Sequence, residues 1–547
     1  AYTAATFYRY SQPGEKVKTL VYNPTLKKLE ETPMALGTTE DIAMYESSVS
    51  DISNDFSLEL DLDITLCCAV TLGFGLTYDR SEQELNQHVT SKVLWQKSYL
   101  LATTTVADGV TQTTQNVAFN RQNGEPVLTC TYDGFMEPQE PIHTEKSGSL
   151  RHDGYYYTLN VPASWMFPTM GKRFNQGVEN PANSNQLSAS AGKVVTYGAS
   201  PVTAGLIGRV VSAEATIYKN DWFNSNLNQT MLDADFGLNA LAKQALNKHW
   251  YPLRSYVYRD AVTDANSAAD RIYSGGLYGV NNSIDFWGVY TGNSANTIIN
   301  NNWFSPSQIV SYSPHGYPME EVDALGVRSI VKFGYNNTLP VLVAQNADYN
   351  SAFFYDYEYG PNGTVCLNAH SGSKAFNLSQ SPNAALLNGV MTQNVKNKGG
   401  SIRLWLHSKV PNSGTKNPNP GLKALVAGKI TPFTKVAETG DWALYEARIT
   451  DWGTLAVNAS FAVRLQYNFA SNETVWIDDF RFQPLEAAMS CTSYTPDFKV
   501  AVQFDDQHFG TYYEYNALGQ LVRKSVETER GRKILQEQQS HTPLVIR

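Results

Sequence analysis

The stretch from Trp303 to Gln345 constrains the fold most, because it reads almost continuously as strand and corner. Ser307–Tyr312 is rich in β-formers, Pro314-His315-Gly316 is a turn, and Tyr317–Val322 is a second strand. Asp323-Ala324-Leu325-Gly326 turns the chain again, and Arg328–Phe333 is a third strand before Gly334-Tyr335-Asn336-Asn337. Glycine reaches positive φ at such corners without a Cβ clash, while Asp and Asn side chains hydrogen-bond to the turn backbone. The alternation has period two, so one face is apolar and aromatic and the other polar. Such a pattern specifies a β-meander and carries no active-site chemistry.

The pattern returns twice. Near the C-terminus, Asn516-Ala517-Leu518-Gly519 between Tyr512 and Arg523 echoes Asp323-Ala324-Leu325-Gly326. Near the N-terminus, Ala107-Asp108-Gly109-Val110 opens a Thr/Gln-rich strand that leads to Phe119-Asn120 and Asn123-Gly124. Each unit has a strand, an Asp or Asn, a turn Gly and a second strand. In this they resemble, in degenerate form, the YD repeats of Rhs- and teneurin-like surface proteins. The wider series of segments starting at His152, Ser188, Val262 and Phe304 is similar to the C-terminal part of very large Bacteroidota surface proteins. That resemblance covers most of the chain and implies an architecture more than a chemistry.

With 547 residues the chain is long enough for three or four domains. Only 17% of residues are charged, against 32 Tyr, 38 Gly and 24 Pro, a balance that suits a turn-rich all-β extracellular protein. A net charge of −9 argues against a nucleic-acid partner, which wants a basic footprint. No segment approaches the roughly 18 apolar residues of a membrane-spanning helix, so no transmembrane segment is expected. The chain opens on Ala1 instead of Met and reads as a processed or truncated product. Its five cysteines, Cys67, Cys68, Cys130, Cys366 and Cys491, have no C-x-x-C spacing and read as buried free thiols, with one long-range bridge left open for an exported protein.

Four regions follow. Residues 1–92 form an N-terminal β domain, in which Leu58, Leu60, Leu62, Ile64 and Leu66 share one strand face and Glu59, Asp61 and Asp63 the other. The acidic stripe reads as a solvated face before it reads as a cation site. The apolar run from Cys67 to Leu76 reads as a strand buried on both faces. Residues 93–348 form a YD-repeat-like β scaffold with a helical and loop insertion near 228–302. There Leu232, Leu238, Leu241, Ala242 and Ala245 mark a helical connector within Met231–Trp250, and 264–302 is an Asn/Gly/Ser-rich surface loop. The adjacent His152-Asp153 pair is not spaced as a triad, and no Gly-x-Ser-x-Gly elbow accompanies it. Residues 349–485 form a β-sandwich, and 486–547 a C-terminal YD-like hairpin with a charged tail. The fold class is all-β: a meander scaffold with an inserted jelly-roll sandwich.

The sandwich rests on short strand segments: Phe353–Gly360, Gly400–His407, Trp442–Ile449, Phe461–Tyr467 and Val475–Phe482. With its Ala369-His370-Ser371-Gly372 loop and closing Ile477-Asp478-Asp479, this run resembles carbohydrate-binding modules of the galactose-binding-like type. The resemblance implies a structural Ca²⁺ held by Glu358 with Asp478 or Asp479, since hard cations take oxygen ligands. It also implies glycan stacking on Trp405, Trp442, Tyr445 or Trp476, although core packing is the better reading for Trp405 and Trp442.

No catalytic constellation stands out: there is no P-loop, no His-Glu-x-x-His, and the nine His are scattered singly. The expectation is a protein that is not an enzyme and holds no cofactor beyond the candidate Ca²⁺. It acts as a structural or interaction component of a bacterial cell surface or extracellular assembly, with other subunits or the rest of its own polypeptide as partners. The alternative is a glycan-binding adhesin module at 350–485 with a polysaccharide partner. A minor alternative is part of an Rhs-like shell enclosing a cargo.

Overall fold

The computed structural model describes residues 4–12, 15–34, 38–65, 69–96, 98–132, 155–175, 178–198, 200–202, 210–223, 235–258, 284–290, 303–359, 363–409, 421–528 and 531–538. Strands dominate, and the chain forms two compact units: Ala1–Leu159 with Thr196–Ala204, and Asn160–Val195 with Gly205–Arg547. Cys67, Cys68, the His152-Asp153 pair, most of the 264–302 loop and the last nine residues lie outside the described residues.

In the first unit, Ala4–Tyr10 pairs antiparallel with Leu100–Ala107, which continues through Val110–Asn120 to Pro126–Tyr132. The Val17–Asn23/Lys28–Met34 hairpin joins by lying parallel to Val110–Asn120. Leu20, Ala118, Phe119 and Leu128 are buried there. Between Met34 and Leu100 the chain makes a two-stranded ladder, Thr38–Thr65 against Ala69–Gln96, running from Thr38↔Gln96 to Thr65↔Ala69 without a register shift.

The second unit is a long antiparallel meander. Val210–Lys219, Tyr251–Tyr258, Ser307–Tyr312, Pro318–Asp323, Arg328–Gly334 and Leu339–Gln345 follow one another, each paired with the next. Leu339–Gln345 then pairs with Ala488–Tyr494, placing Leu342 opposite Cys491 and Gln345 opposite Ala488. From there the meander runs through Val500–Phe504, Gly510–Tyr515, Leu521–Thr528 and Gly531–Glu537. The intervening residues are therefore an insertion between two paired strands. The described strands after 486 continue the same sheet.

One corner recurs along this meander. At Asp323, the backbone N–H bonds to the Val327 carbonyl, Gly326 N–H bonds back to Asp323 O, and Asp323 Oδ1 accepts from Leu325 and Val327 N–H, both at 2.8 Å. Asn516 repeats every bond with Leu518, Gly519 and Gln520. Ser313, Thr495 and Asp505 build the same backbone corner, each bonding its side-chain oxygen to the N–H four residues on. The fourth residue takes positive φ in all of them: Gly316, Gly326, Phe498, His508 and Gly519. This is a three-residue hairpin loop closed by a left-handed residue.

The insertion is a two-sheet sandwich. One sheet contains Lys374–Asn377, Thr474–Pro484, Gly400–Lys409, Trp442–Ile449 and Thr434–Thr439; the other contains Ala385–Val390, Ser460–Gln466, Lys423–Val426 and Lys429–Pro432. Ile402, Leu404, Leu406, Val475, Ile477, Phe461, Val463 and Leu465 form the core between the sheets. Gly400–Lys409 is buried along nearly its whole length on both faces, its Ile402, Leu404 and Leu406 facing the sandwich core and Trp405 the other side. The helix expected within Met231–Trp250 is Ala240–Leu246, capped by Asn239 Oδ1 accepting from Ala242 N–H. Ala163–Met166 and Gln393–Lys398 add two further short helices that periodicity did not mark. Cys130, Cys366 and Cys491 are buried and free.

Candidate functional site

The densest polar cluster lies where the outer face of the sandwich meets the meander, within the second unit. Its centre is His370, 2% exposed, in the loop before Lys374–Asn377. Its Nδ1 lies 2.7 Å from Asp479 Oδ2 on the long sandwich strand, and its Nε2 3.0 Å from Glu527 Oε1 on the meander. Its ring stacks on Trp405 at 4.0 Å and 17°, with Trp442, Phe504 and Tyr512 around it. The His370 carbonyl accepts from Arg532 Nη2 at 2.8 Å, and Arg532 lies 3.5 Å over the Tyr512 ring.

Burial alone would depress the imidazole pKa, but hydrogen bonds to Asp479 and Glu527 outweigh it and hold it above the ordinary value. A carboxylate lies against each ring nitrogen, an arrangement that favours the protonated ring. His508, 0% exposed and edge-on to Phe504, goes the other way: burial, then the charges of Arg481, His370 and Arg403, push it well below the ordinary value. The two buried histidines are thus shifted in opposite directions.

A second grip lies beside the first. Arg481 is fully buried on the sandwich strand and donates Nη1 to the Asp505 carbonyl at 2.9 Å and Nη2 to the Asp506 carbonyl. Arg403 Nη1 reaches the Asp506 carbonyl at 2.8 Å, and Trp405 Nε1 reaches the His508 carbonyl at 3.3 Å. Two arginines and a tryptophan of the insertion thus hold one corner of the meander. A third contact is Asp356, whose Oδ2 accepts from Tyr335 Oη and from Ser493 Oγ.

The expected site residues fall as follows. Glu358 accepts from Ser373 N–H at 2.6 Å, Ser373 Oγ at 3.1 Å and Lys374 N–H. Asp478 accepts from the N–H groups of His370, Ser371 and Asp479, and Asp479 from the His370 ring and Ser371 Oγ. These carboxylates are occupied by protein donors, and Glu358 shares none of them with the aspartates. Among the described residues no three His, Cys, Asp or Glu side chains are grouped to hold a metal. The donor set does not fit Ca²⁺. Trp405 and Trp442 are buried in one cluster with Leu444 and Cys366, and Trp476 packs against it. Tyr445 is half-buried against the sandwich core. Trp405 and Trp442 therefore offer no open ring face for a sugar, while Trp476 and Tyr445 are half-buried.

The cluster also lacks the relay of a hydrolase. Ser371 Oγ donates to Asp479 and not to the imidazole, so serine and histidine compete for one carboxylate. Lys332 is pushed down to about 8 by burial, yet its ammonium lies over the rings of Tyr349 and Phe353. A cleft of about 420 Å³ at the seam of sandwich and meander is lined by Arg328, Asp348, Asn350 and Asn394, and none of the histidine cluster reaches it. His370 and the two aspartates stood in view in the sequence; Glu527, Arg481 and His508 did not, because nothing local links them.

No family model matches the chain, and a search of curated proteins gives no match. Among solved structures it is similar to TcdB2-TccC3 at 10% identity, covering 88% of this chain and 27% of that one, with a TM-score of 0.22. TcdB2-TccC3 without its hypervariable C-terminal region gives 11% identity over 80% of this chain and 25% of that chain, again at 0.22. The Photorhabdus luminescens Tc holotoxin pore gives 9% over 81% and 28%, also at 0.22. The chain spans about a quarter of the length of each, and the superpositions are too loose to define a common arrangement.

Proposed function

We propose that this chain is a non-catalytic scaffold segment of a larger extracellular or surface assembly, an Rhs-like β-shell being the form that suits it best. The observation that carries the reading is the insertion itself: a sandwich spliced into one ladder of a meander and fastened to it through three buried polar contacts. Groups that would serve catalysis in an open cleft serve here as internal fasteners, and fold alone assigns no ligand to the sandwich. Among the described residues, the last strand of the meander pairs on one side only. Gly531–Glu537 pairs with Leu521–Thr528 on one side, and Ile534 and Leu535 are more than half exposed. Such an edge suits addition of a strand from a neighbouring segment or subunit.

The test is isolation of the tagged protein from cell-surface and secreted fractions of its host, followed by negative-stain microscopy and mass photometry. Closed shells or filaments containing the chain are expected. A monodisperse monomer confined to the cytosol contradicts the reading.

A further inference from the structure

The cleft at the seam of sandwich and meander has braced walls, both of them within the second unit. The meander side supplies Arg328, Asn346 and Asp348. The sandwich side supplies Val390, Val457 and Asn458, together with Asn394 and Lys398 of the short helix Gln393–Lys398. Asn394 Nδ2 crosses the seam to the Asn346 carbonyl at 3.0 Å. Lys398 Nζ reaches Asn346 Oδ1 at 3.3 Å and Glu486 Oε2 at 2.8 Å. Arg328 is held by Glu320 and, at 3.2 Å, by Asp348. Between walls tied in this way about 420 Å³ stays open, inside the ~300–1,000 Å³ usual for ligand sites.

The lining decides what chemistry can enter. Its two cations are spent on carboxylates, Arg328 on Glu320 and Asp348 and Lys398 on Glu486, so an anion finds no spare positive charge. Among the described residues no aromatic ring lines the cleft, so a sugar ring finds no face to stack on. Carboxamides remain. Asn458 bonds to Met391 through its backbone N–H only, and Asn394 spends its Nδ2 but not its Oδ1. Asn458 stands at φ 68°, a left-handed conformation that Asn adopts more readily than most residues with a Cβ. A carboxamide pairs an N–H donor with a carbonyl acceptor, the same pair that every peptide group carries. Beside these groups, Val390 and Val457 are half-buried and offer apolar contact for a small side chain.

We propose that this cleft binds a short, extended peptide segment of uncharged residues. The carboxamides of Asn394 and Asn458 pair with its backbone, the Arg328 guanidinium donates to one of its carbonyls, and Val390 and Val457 receive a small apolar side chain. The proposal stands independently of the scaffold reading, since a peptide site here requires no assembly of copies.

The test is isothermal titration calorimetry of the full chain with capped tetrapeptides, acetylated and amidated, built from Gly, Ala, Ser, Thr and Val. Counterparts carrying Asp or Lys, free hexoses and inorganic phosphate serve as competing probes. Saturable binding of an uncharged peptide at about 1 mM or tighter is expected. Asn458→Gly removes the carboxamide and keeps the left-handed backbone, and should weaken binding about fivefold, the worth of one hydrogen bond. Val457→Trp should fill the cleft and abolish binding. Asn472→Gly, at an exposed left-handed Asn outside the cleft, should change nothing. Melting temperatures of the Asn458→Gly and Asn472→Gly variants should match the parent. Failure of every peptide to saturate, tighter binding of a hexose or of phosphate than of any peptide, or binding indifferent to Asn458→Gly each overturns the proposal.

Discussion

His370 Nε2 lies 3.0 Å from Glu527 Oε1, joining residues 157 positions apart, while its Nδ1 holds Asp479 at 2.7 Å. One buried imidazole therefore ties the inserted sandwich to the last strands of the meander. Removing one partner of a buried ion pair leaves the other charge uncompensated and costs about 3–5 kcal/mol. Glu527→Ala should lower the urea midpoint of unfolding accordingly, and more than Glu514→Ala on the exposed side of the neighbouring strand, where surface pairs contribute about 0–1 kcal/mol.

The pH dependence follows from the same contact. A histidine whose pKa rises on folding contributes stability that is complete below its unfolded value, about 6.5, and is lost as pH climbs through the folded value. Asp479, held above the ordinary carboxylate range by burial, acts in the same direction. The melting temperature should fall as pH rises above about 6.5, and His370→Gln should flatten that slope. His508 has the opposite sign: its depressed pKa withdraws stability as pH falls below about 6.5, and His508→Asn should relieve this on the acid side. Proton NMR of the two rings should find His370 titrating above an ordinary histidine and His508 below one.

The corners allow a test of backbone strain. Phe498 is 61% exposed at φ 61°, a conformation that costs a residue with a Cβ about 1–2 kcal/mol. Phe498→Gly should therefore stabilise the protein by about 1 kcal/mol. Gly326, at φ 81° in open space, should show the reverse, Gly326→Ala costing about 1 kcal/mol from conformation alone. Chemical denaturation of the pair measures both.

Trp405 and Trp442 are core residues of the sandwich. Trp405→Ala should cost about 3–5 kcal/mol, and a glycan array should show no binding for this variant or for the parent. Chelation of calcium should leave the melting temperature unchanged, because Glu358, Asp478 and Asp479 are satisfied by protein donors.

Much of the meander was legible because its corners announce themselves. Asp323-Ala-Leu-Gly326 and Asn516-Ala-Leu-Gly519 fold into the same set of bonds their likeness suggests. The corners at Thr495 and Asp505 were not legible, since Phe498 and His508 stand where Gly would mark positive φ. The pairing of Gln345 with Ala488 could not be read from the sequence. That pairing depends on where the insertion returns the chain. Glu358 and the two aspartates carry the chemistry of a metal site in sequence; the loop at Ser371–Lys374 reaches them first and supplies donors in place of a cation.

Scanning calorimetry of the parent and of Glu527→Gln tests the central claim, that the sandwich is a fastened part of the scaffold and not a free ligand-binding module. The parent should unfold the sandwich and the surrounding meander in one cooperative transition. Glu527→Gln should separate it into two, the meander melting first. If the parent already melts the sandwich independently, and the variant changes neither transition, the histidine contact fastens nothing and the account fails.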